Sequence, residues 1–159
     1  MAWPYHQHAA SLTPEGNLLL FDNGKYRARP FETPMAYPES YSRVVEYGID
    51  AERNRVREIW SYRGEETFFS SFLGDARMLP LTGNVLVTDG GEVALPVGTH
   101  APMGFGKNWA QVMEVARDGT DDVVFGLELK DERPQVGWSI YRSLRIPWSV
   151  FSPHREVVE

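Results

Sequence analysis

Residues 16–22 read Gly-Asn-Leu-Leu-Leu-Phe-Asp, and residues 83–89 read Gly-Asn-Val-Leu-Val-Thr-Asp. The offset is 67 residues at both ends of the match, from Asn17 to Asn84 and from Asp22 to Asp89. Further along, Arg43-Val-Val-Glu46-Tyr returns as Gln111-Val-Met-Glu114-Val at an offset of 68, one insertion later. A recurrence of this length marks a repeated supersecondary unit. Around it helical periodicity is nearly absent, and short runs rich in tyrosine, valine, tryptophan and phenylalanine alternate with turns. The pattern predicts strands at 7–12, 17–22, 41–48, 55–62, 75–79, 84–88, 109–116, 122–129 and 137–146. The tight turns are explicit: Pro14-Glu15-Gly16-Asn17, Asp50 to Asn54, Leu81-Thr82-Gly83-Asn84 and Asp118-Gly119-Thr120-Asp121. Each carries Gly, Asn or Asp where a positive φ or a side-chain cap is needed.

Each repeat therefore holds four strands in meander order, the unit of a β-propeller blade. The expected fold class is all-β, a propeller fragment forming a single partial domain. It has one blade at 7–62, a second at 75–129, a closing strand at 137–146 and a tail at 147–159. Propellers have about four to eight blades, and at this repeat length four would need roughly 270 residues. The chain has 159. It is expected to be the C-terminal part of a longer protein, or a unit that needs further blades or another chain to close the ring. A self-contained sandwich of nine strands is the alternative.

Composition narrows the function classes. With 42% apolar and 13% aromatic residues the chain can bury a real core. A net charge of −6 argues against a broad nucleic-acid surface, which needs a basic face. The absence of cysteine removes disulfides, zinc–thiolate sites and thiol nucleophiles while leaving the compartment open. No apolar run approaches the roughly 18 residues of a membrane helix. Residues 1–10 lack the basic start and apolar middle of a signal peptide.

Topology sorts the connections. In a meander, the entry to strand one and the link between strands two and three emerge on one face. The long segments 23–40, 63–74 and 91–108 all fall there, and the tight turns fall opposite. Long loops gathered on one side of a rigid scaffold are where binding usually resides. His6 and His8 begin an innermost strand on that same face.

Several groups are candidates for chemistry. On a strand, His6 and His8 would share a side, so they could pair on a metal, with His100 or a carboxylate completing the set. His8 could instead be a nucleophile or acid–base group, or a hydrogen-bonded structural residue; Asp75 stands at its repeat-equivalent position. Lys25, Arg27 and Arg29 form a local cationic cluster that fits an anion, or pairs with Glu32 and Glu39. Ser70 and Ser71 could donate to a ligand, but no GxSxG surrounds them and a hydrolase elbow is excluded. Gly104 to Asn108 departs from a phosphate loop at Ala101 and Asn108. Trp60, Tyr62, Trp109 and Trp138 lie within predicted strands and read as blade packing. Asp118 to Asp122 reads as a hairpin turn rather than a calcium loop.

The succession Gln7-His8-Ala-Ala, Gly16-Asn17-Leu-Leu-Leu-Phe-Asp22-Asn23-Gly24, Tyr41-Ser42-Arg43-Val-Val-Glu46-Tyr47 and Trp60-Ser-Tyr62 resembles the C-terminal region of bacterial arylsulfate sulfotransferases. Gly74-Asp75-Ala76-Arg77, Gly83-Asn84-Val85 and Ser139-Ile-Tyr141-Arg142 fit the same region, so the resemblance covers about residues 3–146. It implies a six-bladed propeller enzyme that moves a sulfuryl group from a phenolic sulfate ester to another phenol, with no nucleotide sulfate donor and no cofactor. It implies that His8, in the QH motif, is the nucleophile and passes through a sulfohistidine. Arg27, Ser70, Ser71 and His6 are the candidate substrate-binding residues; Arg27 matches an arginine that follows FDNG in the family. The family's other sulfate-binding histidines and arginine belong to earlier blades, so the 159-residue chain assayed alone with p-nitrophenyl sulfate and phenol is expected to show no turnover. The resemblance suggests a periplasmic or secreted protein acting on small aryl sulfates and phenols, with neither nucleic acid nor membrane as partner. The rival from another class is a non-catalytic propeller module for interaction or ligand binding.

Overall fold

The computed structural model describes residues 2–28, 31–36, 39–64, 68–94, 107–133, 136–147 and 150. Within them the chain is all-β. Eight strands are present: β1 (His8–Leu12), β2 (Leu18–Asp22), β3 (Arg43–Asp50), β4 (Arg55–Tyr62), β5 (Asp75–Met78), β6 (Val85–Ala94), β7 (Lys107–Val115) and β8 (Val123–Leu129). They form two antiparallel sheets ordered β1-β2-β3-β4 and β5-β6-β7-β8. These are two successive blades of a propeller fragment, as the repeat predicts. The register repeats too: His8 faces Phe21 in the first blade, and Asp75 faces Thr88 in the second, 67 residues on.

The turns form for the reasons read from sequence. Gly16, Asn54, Gly83, Gly119 and Asp121 all take positive φ, the conformation that Gly, Asn and Asp reach at least strain. In each blade the Asn that follows the turn glycine ties the turn to the third strand. Asn17 Nδ2 donates to Glu46 Oε1 at 2.7 Å, and Asn84 Nδ2 donates to Glu114 Oε1 at the same distance. The recurring Gly-Asn…Glu is thus a structural tie.

The main core lies between the blades. Leu19, Phe21, Val44, Tyr62 and Phe68 of the first pack against Ala76, Val85, Val87, Met113 and Val115 of the second. The alternate residues line the opposite faces, Leu20, Val45 and Tyr47 in one sheet and Leu79, Leu86 and Val112 in the other. Both faces of each sheet are therefore apolar, as stacked blades require. Polar ties add direction across the seam: Arg117 pairs with the buried Glu46 at 2.6 Å, and Trp60 Nε1 donates to Asp121 at 2.8 Å.

Two expectations are corrected. Residues 137–146 do not form a ninth strand. The segment crosses the outer face of the second sheet, where Ile140 packs against Leu79, Leu86 and Val112. Among the described residues two isolated backbone bonds join it to the sheet, Trp138 N to Asn108 O and Ile140 N to Gly90 O, each at 3.0 Å. Arg142 and Arg145 then pin it to Asp75 and Glu114. The segment seats one apolar side chain and makes two ion pairs rather than extending a ladder. Trp138 is accordingly half exposed and lies outside any strand. The second correction concerns β6, which runs on to Ala94 through a bulge between Asp89 and Glu92. Gly90 and Gly91 sit in this bulge, where a Cβ would fall 1.8 Å from Ile140 O and 2.6 Å from Phe72 O, respectively.

Candidate functional site

His8 opens β1, and its backbone surroundings are strained. Ala9 next to it has φ 52° and His6 has φ 53°, a region that costs a non-glycine residue roughly 1 kcal/mol or more. The β1–β2 register shifts between His8 and Ser11, so a bulge aims the imidazole away from the regular pleat. The strand starts at His8, and His6 sits outside it in the left-handed region. The premise that the two histidines share a strand face therefore fails. His6 is exposed and meets the Tyr26 ring edge-on at 6.1 Å. Among the described residues no cluster of three or more metal-ligating side chains occurs; His100 lies outside them.

His8 is held by Asn23, the residue after β2. Its Nδ1 lies 2.5 Å from Asn23 Oδ1. Asn23 is fully buried, and its Nδ2 donates to the carbonyls of Ser70 and Leu73, both at 2.7 Å. The loop that supplies these carbonyls is itself constrained. Leu73 has φ 62° and Gly74 φ 113°, and a Cβ on Gly74 would fall 2.5 Å from the Phe21 ring. Ser42 Oγ donates to Asn23 O at 2.8 Å and accepts from Ser70 N at 2.9 Å. Three stretches far apart in sequence thus converge behind one imidazole.

The neighbour in sequence, Asp22, is the charge hub. It is fully buried, and its Oδ2 meets Arg27 Nη2 and Arg43 Nε, both at 2.9 Å. Its Oδ1 accepts from Tyr5 N at 2.8 Å and Gly24 N at 3.1 Å. Arg43 also pairs with Glu58 at 3.1 Å and donates to Tyr47 Oη at 3.0 Å. Burial works to lower the pKa of Arg43, but the Asp22 hydrogen bond and the nearby Tyr47, Asp22 and Glu58 overcome it and raise it. Burial raises the Tyr47 hydroxyl above its ordinary range, with Arg43 opposing. Such a buried cluster holds only because every charge has a partner.

This placement divides the candidate residues. Arg27 is buried, bound to Asp22 and to Trp3 O, and stacked 4.5 Å from the Tyr41 ring centroid. Its guanidinium is engaged with the scaffold, and the cationic cluster is broken up. Lys25 lies over the Tyr26 ring, and Arg29 is outside the described residues. Ser70 is buried in structural bonds, donating to Phe72 O and accepting from Gly91 N. Ser71 Oγ is buried with no hydrogen-bond partner among the described residues. Two open grooves of about 850 and 660 Å³ lie elsewhere, the first along Trp3 and the β3–β4 hairpin and the second beside Tyr41, Arg43 and Glu58; His8 lines neither.

Asn23, Asp22 and Arg43 are the residues that sequence reading passed over. All three stand in FDNG and SRVVEY, so the signal was present. The Asp22–Arg43 pairing comes from the β2–β3 register, which 20 intervening residues leave unreadable.

Over 64 residues, 40% of its length, the chain is 39% identical to the Arylsulfate sulfotransferase AssT of Escherichia coli O6:H1 and 42% identical to that of Lelliottia amnigena. Each match covers 10% of the relative's length, so the chain spans about a tenth of the curated proteins it resembles. The profile of the Arylsulfotransferase (ASST) family matches residues 1–142, and the chain belongs to that family.

Proposed function

We propose that this chain is one wall of an aryl sulfotransferase active site, with His8 as the covalent acceptor. The observation that carries the reading is the His8–Asn23 pair. An imidazole at the strained start of the innermost strand is oriented by a fully buried amide, and both belong to the family's motifs. In the first half-reaction an imidazole nitrogen forms a bond to sulfur, the bond from sulfur to the aryl oxygen breaks, and phenolate leaves with the electron pair and takes a proton from water. In the second, the acceptor phenol's oxygen attacks sulfur, the electron pair of the nitrogen–sulfur bond returns to the ring, and the phenol proton passes to water. A covalent relay splits one difficult transfer into two easier ones.

Charge developing on the sulfuryl oxygens needs donors. Arg27 and Arg43 already pair with Asp22, which leaves the unpartnered Ser71 hydroxyl and Arg27 Nε on this side, and further blades or another chain on the other. By this reading the single partial propeller domain binds small aryl sulfates and phenols only in the assembled ring.

The test is trapping of the sulfuryl adduct by mass spectrometry in the full-length protein, turned over with p-nitrophenyl sulfate. An adduct on the peptide containing His8, absent in His8→Ala, is expected. An adduct that persists without His8 would overturn the assignment.

A further inference from the structure

We propose that Asn23 locks His8 in the Nδ1–H tautomer, so that Nε2 is the nitrogen that takes the sulfuryl group. This rests on the reading of His8 as acceptor. The geometry leaves no second orientation for the amide. Its nitrogen faces two carbonyls at 2.7 Å, and carbonyls only accept. Turning the amide over would set Oδ1 against both of them. Oδ1 therefore faces His8 Nδ1 at 2.5 Å, and because an amide oxygen only accepts, Nδ1 carries the hydrogen. A neutral imidazole has one N–H, so the lone pair lies on Nε2. No described residue hydrogen-bonds to Nε2.

The second blade argues against a generic strand-start tie. At the position equivalent to His8 it has Asp75, bound by Arg77 at 2.8 Å and Arg142 at 3.1 Å. At the position equivalent to Asn23 it has Gly90, where a Cβ would fall 1.8 Å from Ile140 O. The histidine–amide pair is peculiar to the first blade, although the ties at Asn17 and Asn84 are common to both.

The lock matters to both half-reactions. When the Nε2–sulfur bond forms, the proton stays on Nδ1 and the ring becomes a cation, which Asn23 Oδ1 stabilises through the N–H. That cation is a better leaving group than a neutral sulfoimidazole, so the sulfuryl group remains transferable when the acceptor oxygen attacks. A carboxylate in place of the amide would favour the imidazolium in the resting state and occupy the lone pair. Asn23 is thus a positioning residue.

The experiment is a long-range ¹H–¹⁵N spectrum of the histidine-labelled full-length protein at neutral pH, with His8 assigned by its loss in His8→Ala. The expected result is Nδ1 protonated and Nε2 bare. In Asn23→Ala the spectrum is expected to move toward the Nε2–H form, and kcat for aryl sulfate to fall by about 10- to 100-fold, as for other orienting partners, with KM little changed. In Asn23→Asp the acid limb of the pH–rate profile is expected to shift to higher pH. A wild-type spectrum with Nε2 protonated overturns the inference. An unchanged tautomer and rate in Asn23→Ala overturn it too. If the expected tautomer is present while His8→Ala retains transfer, the lock stands and the assignment of His8 as acceptor falls.

Discussion

The two blades share a skeleton and part company at the inner end. Both carry the Gly-Asn turn, the Asn–Glu tie and a four-stranded meander in one register. At the inner end the first has a partly exposed imidazole on a buried amide above a carboxylate flanked by two arginines. There the second has a carboxylate held by two arginines, and Gly90 roofed by the segment around Ile140. The difference teaches that the repeat preserves what closes a blade, whereas the inner end is free to be built for chemistry or for packing. In the second blade the equivalent position is filled by the chain itself. In the first it holds the partly exposed His8.

The largest effect expected from this contrast is in activity. His8→Ala should lower kcat/KM of the full-length protein by about 10⁴-fold or more, as loss of a covalent nucleophile does. Asp75→Asn should leave transfer close to that of the parent; comparable losses from both, in a steady-state assay with p-nitrophenyl sulfate, would erase the distinction.

Stability separates the blades next. Asp22→Ala strands the buried Arg27 and removes one of the two carboxylates that hold Arg43, and should cost about 3–5 kcal/mol in denaturant unfolding. Gln111→Ala, which withdraws one neutral amide donor from Asp89 in the second blade, should cost less, about 1–2 kcal/mol. Equal losses would mean that the arginine cluster is not what sets the first blade apart.

Gly90→Ala drives a Cβ against Ile140 O and should cost roughly 3 kcal/mol or displace the segment at 136–147. Proteolysis of that segment reports which; an unchanged cleavage pattern and unchanged stability would show that the roof does not depend on the glycine.

The shared features make the opposite prediction, equality. Asn17→Ala and Asn84→Ala each leave a buried glutamate oxygen short of a donor and should each cost about 1.5 kcal/mol. A clear gap between them in urea midpoints would break the structural equivalence of the two turns.

The smallest effect is a pH dependence confined to the first blade. The raised Tyr47 pKa means that the unfolded chain loses this proton before the folded one does. The contribution is fully present below the unfolded value near 10 and declines as pH rises above it. Tyr47→Phe should flatten the alkaline limb of a stability–pH curve; an unaltered limb would remove Tyr47 from the account.

The sequence by itself determined the fold class, the two blades, the four tight turns and the position of His8. These follow from local events: period-two alternation, glycine and asparagine at positive φ, and a repeat whose offset is countable. Tertiary structure alone decided which polar residues face each other. Arg27 reads as an anion ligand in sequence and becomes a buried partner of Asp22, because Arg43 arrives beside it from β3 after a long connection. The histidines at positions 6 and 8 look like a pair until a left-handed backbone breaks the alternation. Residues 137–146 look like a strand and instead lie across a sheet, because nothing local says whether an apolar residue will meet an edge or a face. Asn23 is visible in FDNG only as a turn residue; the carbonyls that orient it come from a loop some fifty positions on.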